Sequence, residues 1–282
     1  MSDPFKILEP TVISFSGGRT SAYMLWRVLQ SNNGLPDDAV VCFANTGKEH
    51  ESTLKFVHDC EKNWKVPIAW LEYQDAEESK DRWKKVTYET ASRNGEPFEA
   101  VILKKQYLPN PVTRFCTIEL KIRTIANYLF SIDFVEKRTH GEDISWVGIR
   151  ADEPRRAAKI TDKSRIPLWS AGITKEIVGE FWKNNSFDLN LPNINGVTMH
   201  GNCDLCFLKG SKIVQSLIHE EPSRAIWWAK MEKTIKDIHP EYNSTGAVFR
   251  LDRASYSEMI NYANKQSDFF GNDETIPCFC GD

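Results

Sequence analysis

The chain has 282 residues, 41% of them hydrophobic and 27% charged. That balance excludes a chain disordered throughout, and no apolar run approaches the roughly 20 residues that span a bilayer. Lys and Arg number 36 against 39 Asp and Glu, a formal charge of −3, which argues against a protein that coats nucleic acid.

The N-terminal MSDPFKILEP has no apolar core of the kind a secretory signal carries, so a cytoplasmic location and no membrane partner are expected. In that compartment seven cysteines point to metal binding or thiol chemistry rather than a disulfide framework. In chain order, Thr11–Phe15 reads as a buried strand and Thr20–Gln30 as a helix. Ala39–Ala44 is a second strand, Glu49–Trp64 a helix, Ile68–Glu72 a third strand and Ile144–Ile149 a fourth. This alternation predicts an α/β fold, a parallel sheet covered by helices, with ligands at the carboxyl ends of the strands. The charged run from Asp75 to Lys85 reads as a solvated helix face. After about Trp169 the strand signal fades, and Lys175–Trp182, Ser211–Glu220, Ser223–Ile238 and Ala254–Lys265 read as helices. The expected division is an α/β domain over 1–170 and a helical part over 171–282, ending in a mobile tail from Gly271. Trp227-Trp228, Trp26, Trp64 and Trp70 read as core, as do Cys42 and Cys60.

Ser14-Phe15-Ser16-Gly17-Gly18-Arg19-Thr20-Ser21 follows the first strand and opens the first helix. Two glycines let the backbone curl so that several N–H groups face one anion, the hydroxyls add donors, and the helix N-terminus adds its positive dipole end. The Gly-Lys-Ser/Thr ending of a Walker loop is absent. The second strand ends in Asn45-Thr46-Gly47, and a later stretch reads Gly148-Ile149-Arg150-Ala151-Asp152-Glu153-Pro154-Arg155-Arg156.

Together these motifs resemble the PP-loop superfamily and, within it, the phosphoadenosine phosphosulfate (PAPS) reductase-like family, over roughly Val12 to Leu208. The resemblance implies a Rossmann-like sheet of the adenine nucleotide alpha-hydrolase type with a helical C-terminal part. By position, Ser14, Ser16, Gly17, Gly18, Arg19, Thr20 and Ser21 would hold phosphate or sulfate. Asn45, Thr46 and Gly47 would lie beside the adenosine, Arg150 and Arg156 would complete the anion clamp, and Gly148 and Arg155 would also line the nucleotide site. Arginine suits that task through its bidentate fork. From Arg150 to Arg165 there are six Lys or Arg against three Asp or Glu, a local +3 that favours a polyanion. Arg19-Thr20 stands where the family commonly has lysine and aspartate.

Cys203-Asp-Leu-Cys206 has a spacing that puts two thiolates on one metal or cluster. The segment around Cys116 resembles the cluster-binding segment of adenylyl-sulfate reductases, with Phe115 in place of the first of two adjacent cysteines. Cys116, Cys203 and Cys206 would thus hold a [4Fe-4S] cluster with one iron open; the competing reading is zinc, with His200 as fourth ligand. The chain ends Cys278-Phe279-Cys280-Gly281-Asp282, and Cys280-Gly281 matches the core of the family's mobile nucleophilic end.

Two activities are therefore expected from the resemblance. ATP, with Mg as companion, would activate a substrate oxygen for sulfur transfer, Arg150 and Arg156 stabilising the phosphate; the substrate could be a nucleic acid. Alternatively PAPS or adenylyl sulfate would be reduced by attack of Cys280 or Cys278, with an outside sulfur or electron donor. A non-catalytic nucleotide-sensing or partner-binding module with structural zinc is the third reading, and a homodimer is compatible with each.

Overall fold

The computed structural model describes residues 3–136, 144–194, 197–242 and 246–271, the last six by their backbone alone. The C-terminal tail with Cys278 and Cys280 lies outside the described residues. The chain divides into two compact units, Met1–Lys105 with Arg114–Asp204, and Gln106–Thr113 with Leu205–Asp282. The first unit thus runs past the 170/171 boundary expected from sequence, to Asp204.

The first unit is built on a five-stranded sheet ordered β4-β3-β2-β1-β5. Its strands are β1 (Thr11–Ser14), β2 (Ala39–Asn45), β3 (Ile68–Glu72), β4 (Lys84–Val86) and β5 (Ser145–Val147). β1 pairs in parallel with β2 and with β5, β2 pairs in parallel with β3, and β4 is an antiparallel edge. Helices α1 (Arg19–Asn32) and α2 (Glu51–Trp64) make the β1–β2 and β2–β3 crossovers.

The central strands bury both faces, which is why they read as unbroken apolar runs. Ile13, Val41, Phe43, Ile68 and Trp70 join one core with Met24, Leu25 and Val28 of α1 and Leu54 and Val57 of α2. Their neighbours Val12, Cys42, Ala44, Ala69 and Leu71 point the other way, onto Ile125, Tyr128 and Leu129. Burial pushes the Cys42 and Cys60 thiols far up, so both are inert packing groups.

The charged run 75–85 is not a helix face. It holds a short 3-10 turn, Ser79–Asp81, and the edge strand β4. Trp70 pairs with Val86 and Glu72 with Lys84, and lysines on an edge suit a strand that must not recruit another. Downstream, one helical stretch runs Phe115–Thr117 (α4), Ile118–Arg123 as a π-helix, and Thr124–Ser131 (α5). α3 (Glu96–Lys105) precedes it, and α6 (Pro154–Ala157), α7 (Pro167–Ser170) and α8 (Lys175–Lys183) follow β5. The region after Trp169 is not wholly helical, because Asn193–Ile194 (β6) and Val197–Thr198 (β7) pair as a hairpin.

The second unit packs α9 (Ser211–Glu220), α10 (Ile226–Ile238) and α11 (Tyr256–Gly271) together. Trp228 is fully buried, stacked on Tyr256 at 5.3 Å and edge-on to Phe249 at 4.9 Å, which makes it core rather than a platform for bases. Within this apolar setting Glu232 accepts the amides of Tyr256 at 2.9 Å and Phe249 at 3.4 Å. Burial pushes its carboxyl up to about 7, from an ordinary 4.5. Between those values the folded chain holds a proton that the unfolded chain has lost, so this group's contribution to stability falls as pH rises from about 4.5 through 7. Thermal unfolding at about pH 5 and pH 8 should therefore show wild type losing on the order of 2 kcal/mol more than Glu232→Gln over that interval. Parallel pH curves would refute the assignment.

Candidate functional site

The phosphate-type loop is shaped by close packing. Phe15 donates its amide to Cys42 O at 2.9 Å, so the chain leaves β1 still tied to β2. Gly17 follows with φ +75°, and a Cβ there would lie 2.7 Å from Thr53 Cγ2 and 3.2 Å from both Phe43 and Val57. Only glycine meets both demands. Gly18 is the N-cap of α1 and has no side chain to cap it. Ser21 returns from the first turn of α1 to brace the loop: its hydroxyl accepts Ser16 N at 3.2 Å, meets Ser16 Oγ at 2.9 Å and donates to Gly18 O at 3.0 Å. Among the described residues, no protein acceptor pairs with the amides of Gly17 through Thr20. An anion seated there would meet converging N–H groups and the positive end of α1.

The Gly-x-Arg motif after β5 meets this loop. A Cβ on Gly148 would lie 3.2 Å from Ser21 Cα and 3.3 Å from Ser21 N. Arg150 then donates from Nη1 to Thr20 Oγ1 at 3.1 Å. Its other edge forks onto Asp152 at 2.9 and 3.2 Å, and the guanidinium holds the Asp152 carboxyl below its usual range. Arg156, by contrast, binds Glu153 at 2.6 Å and leaves 60% of its side chain exposed; Arg155 is exposed. Lys163 is spent on the carbonyls of Ala157 and Ile160, and Arg165 donates to Ser145 O. Most of the local positive charge read from Arg150–Arg165 is thus tied to carboxylates or carbonyls, with Arg150 alone of the six bonded to the loop among the described residues.

Asn45 and Thr46 are almost wholly buried. Asn45 donates to Glu72 Oε1 at 2.7 Å and to Ser92 O at 2.9 Å, while its Oδ1 accepts Gly47 N at 3.1 Å. Glu72, with no exposed surface, also accepts Ser92 N at 2.6 Å, Ser92 Oγ at 2.8 Å and Lys84 Nζ at 3.2 Å. Asn45 therefore shapes the turn by internal bonds. Gly47 sits at φ +76° with Pro97 Cδ 2.9 Å from its would-be Cβ, which seats the turn on the start of α3. Glu72 and Ser92 were not singled out from sequence; a glutamate closing the apolar strand IAWLE was the available signal.

Cys203 comes to this turn. It bridges Glu49 in antiparallel fashion, and its Sγ lies 3.4 Å from Thr46 Oγ1 and 4.0 Å from Glu49 Oε1. Asp204 N donates to Lys48 O at 2.5 Å. Glu49 is buried and accepts Thr46 N at 2.8 Å and Thr46 Oγ1 at 2.9 Å. His200 is buried with its ring 5.4 Å from that of His50. Cys116 is half-buried in α4, and Cys206 is half-buried in the second unit. Among the described residues no three His, Cys, Asp or Glu side chains gather to hold a metal ion.

Residues 10–169 match the model of the phosphoadenosine phosphosulfate reductase domain, and the chain belongs to that family. Membership makes it a nucleotide-binding PP-loop protein of a family of enzymes. It is 33% identical over 207 residues to a nin region protein of Escherichia phage lambda, covering 71% of this chain and 67% of that one. A 37.8 kDa protein of Escherichia phage 186 is 27% identical, covering 56% and 51%. A protein of Methanocaldococcus jannaschii is 29% identical over 55% of this chain and 26% of its own length. The chain thus spans about two thirds, half and a quarter of these relatives. No solved structure matches it. No described helix is long and apolar enough to cross a membrane.

The two close approaches predict the cost of a single methyl group. Gly17→Ala, which adds a left-handed φ to its clash, should lower stability by about 2–3 kcal/mol, and Gly148→Ala by about 1–2. Denaturant midpoints at constant slope would read both; an unchanged midpoint for Gly17→Ala would contradict the packing described.

Proposed function

We propose that this chain is an enzyme that binds an adenine nucleotide at the SGGRTS loop and carries out ATP-dependent sulfur transfer. The observation that carries the reading is the meeting of Arg150 with Thr20 beside the uncapped start of α1. In this reading the amides of Gly17 to Thr20 and the hydroxyls of Ser16 and Thr20 hold the phosphates. Arg150 supplies the fixed positive charge, already oriented by Asp152, so little reorganisation is needed as negative charge develops on the α-phosphate. A substrate oxygen attacks that phosphorus, pyrophosphate leaves, and a sulfur nucleophile displaces AMP.

Support for the sulfur half of the reading is the position of Cys203, in van der Waals range of Thr46 in the ANTG turn. The iron–sulfur form of the reading rests on the spacing of Cys116, Cys203 and Cys206. Anaerobic preparation followed by iron, sulfide and zinc analysis tests it. About four iron and four sulfide per chain are expected. One zinc per chain without sulfide would instead favour the non-catalytic module. Reduction of PAPS or adenylyl sulfate is the second reading, favoured by the family's name and by Cys280-Gly281. Competition between ATP and PAPS in equilibrium binding separates the two.

Arg150→Gln is expected to weaken ATP binding by one to two orders of magnitude while leaving the unfolding midpoint within about 1 kcal/mol of wild type. Equal affinity in the two proteins would remove Arg150 from the nucleotide site.

A further inference from the structure

Arg19, the first residue of α1, occupies the centre of the phosphate-type loop, yet its guanidinium is turned to Asp188. Nε donates to Oδ1 at 2.6 Å and Nη2 to Oδ2 at 2.5 Å, a fork-to-fork pair. The two side chains are 16% and 27% exposed, so the pair is partly shielded from water. The backbone of Arg19 is held separately: Trp182, in α8, donates its indole N–H to Arg19 O at 3.0 Å. Trp182 is itself buried against Phe56 at 4.9 Å and Phe187 at 5.8 Å. Position and charge at this residue are thus set by different partners, Trp182 the first and Asp188 the second. Asp188 lies beyond residues 10–169, the part matched to the family.

We infer that Asp188 sets the charge of the nucleotide site, neutralising Arg19 so that the loop binds phosphate through neutral donors and through Arg150, which keeps Nη1 on Thr20 at the loop although it too is paired with a carboxylate. The inference rests on the nucleotide reading above. A guanidinium at the loop would otherwise add attraction for every phosphate charge, most for the most highly charged ligands. Pairing it bidentately with a carboxylate cancels that long-range pull and holds the fork away from a phosphate oxygen.

The pair makes opposite predictions for its two halves. Asp188→Asn frees the Arg19 charge and should tighten ATP about fivefold at low salt, with a smaller gain at high salt. Arg19→Gln leaves the Asp188 carboxylate unbalanced near the loop and should weaken ATP by a similar factor. The double variant restores the net charge and should fall within about twofold of wild type. Arg19→Lys keeps both charges of the pair and should bind ATP within about twofold of wild type. Isothermal titration with ATP, together with thermal unfolding of each protein, reads all four. Asp188→Asn binding no tighter than wild type, or a double variant as weak as Arg19→Gln, would overturn the inference, the latter because Arg19 would then touch the ligand itself. Wild type that fails to bind ATP at all would sink the nucleotide reading and this inference together, whereas ATP binding indifferent to Asp188 sinks only this one.

Discussion

The close approach of β5 to the first turn of α1 is the constraint on which this end of the molecule depends. Gly148 has no room for a methyl group against Ser21. That contact lets Arg150, two residues on, reach Thr20. The same turn contributes Ser21, whose hydroxyl closes the loop back onto Ser16. Pairing of β1 with both β2 and β5 fixes the three segments relative to one another before any side chain is considered. The parallel sheet thus collects, at the carboxyl ends of its central strands, a set of donors that no local stretch of chain assembles alone.

A second layer of order comes from carboxylates that face inward. Glu72 gathers Asn45, Ser92 and Lys84, and Glu49 gathers both polar groups of Thr46. Each buried carboxylate is satisfied by several donors, the condition under which a charge inside a protein rigidifies rather than destabilises its surroundings. Their effect is to lock the ANTG turn from within and to occupy its side-chain amide. Cys203 is held against the same turn by its bridge to Glu49 and by the neighbouring bond from Asp204 N to Lys48 O. The Cys203 thiol and the turn are thereby held as one piece within the first unit.

Much of this was legible in sequence, and the reason differs by feature. The three inner parallel strands and the two crossover helices were readable because full burial on both faces leaves unbroken apolar runs, and because glycines mark where the chain must turn tightly. β4 was not readable: three residues of an edge strand, two of them lysine, carry no periodic signal, and its pairing with β3 depends on a partner ten and more residues away. The charge of Arg150–Arg165 was counted correctly, yet a count gives no partners. Glu153 and Asp152 hold Arg156 and Arg150 through the local fold of the loop, and backbone carbonyls take up Lys163.

By itself, the sequence determined the family, the α/β class and the place of the phosphate-type loop, since these rest on local residue types at fixed spacing: two glycines after a strand, hydroxyls opening a helix, an arginine two residues past a glycine. Only the tertiary structure decided which charges are free to act. Arg19 and Asp188 are 169 residues apart, and Glu72 reaches Ser92 across 20. Neither pairing leaves a periodic trace. Electrostatic pairing depends on distance in space, and distance in space is set by the whole fold.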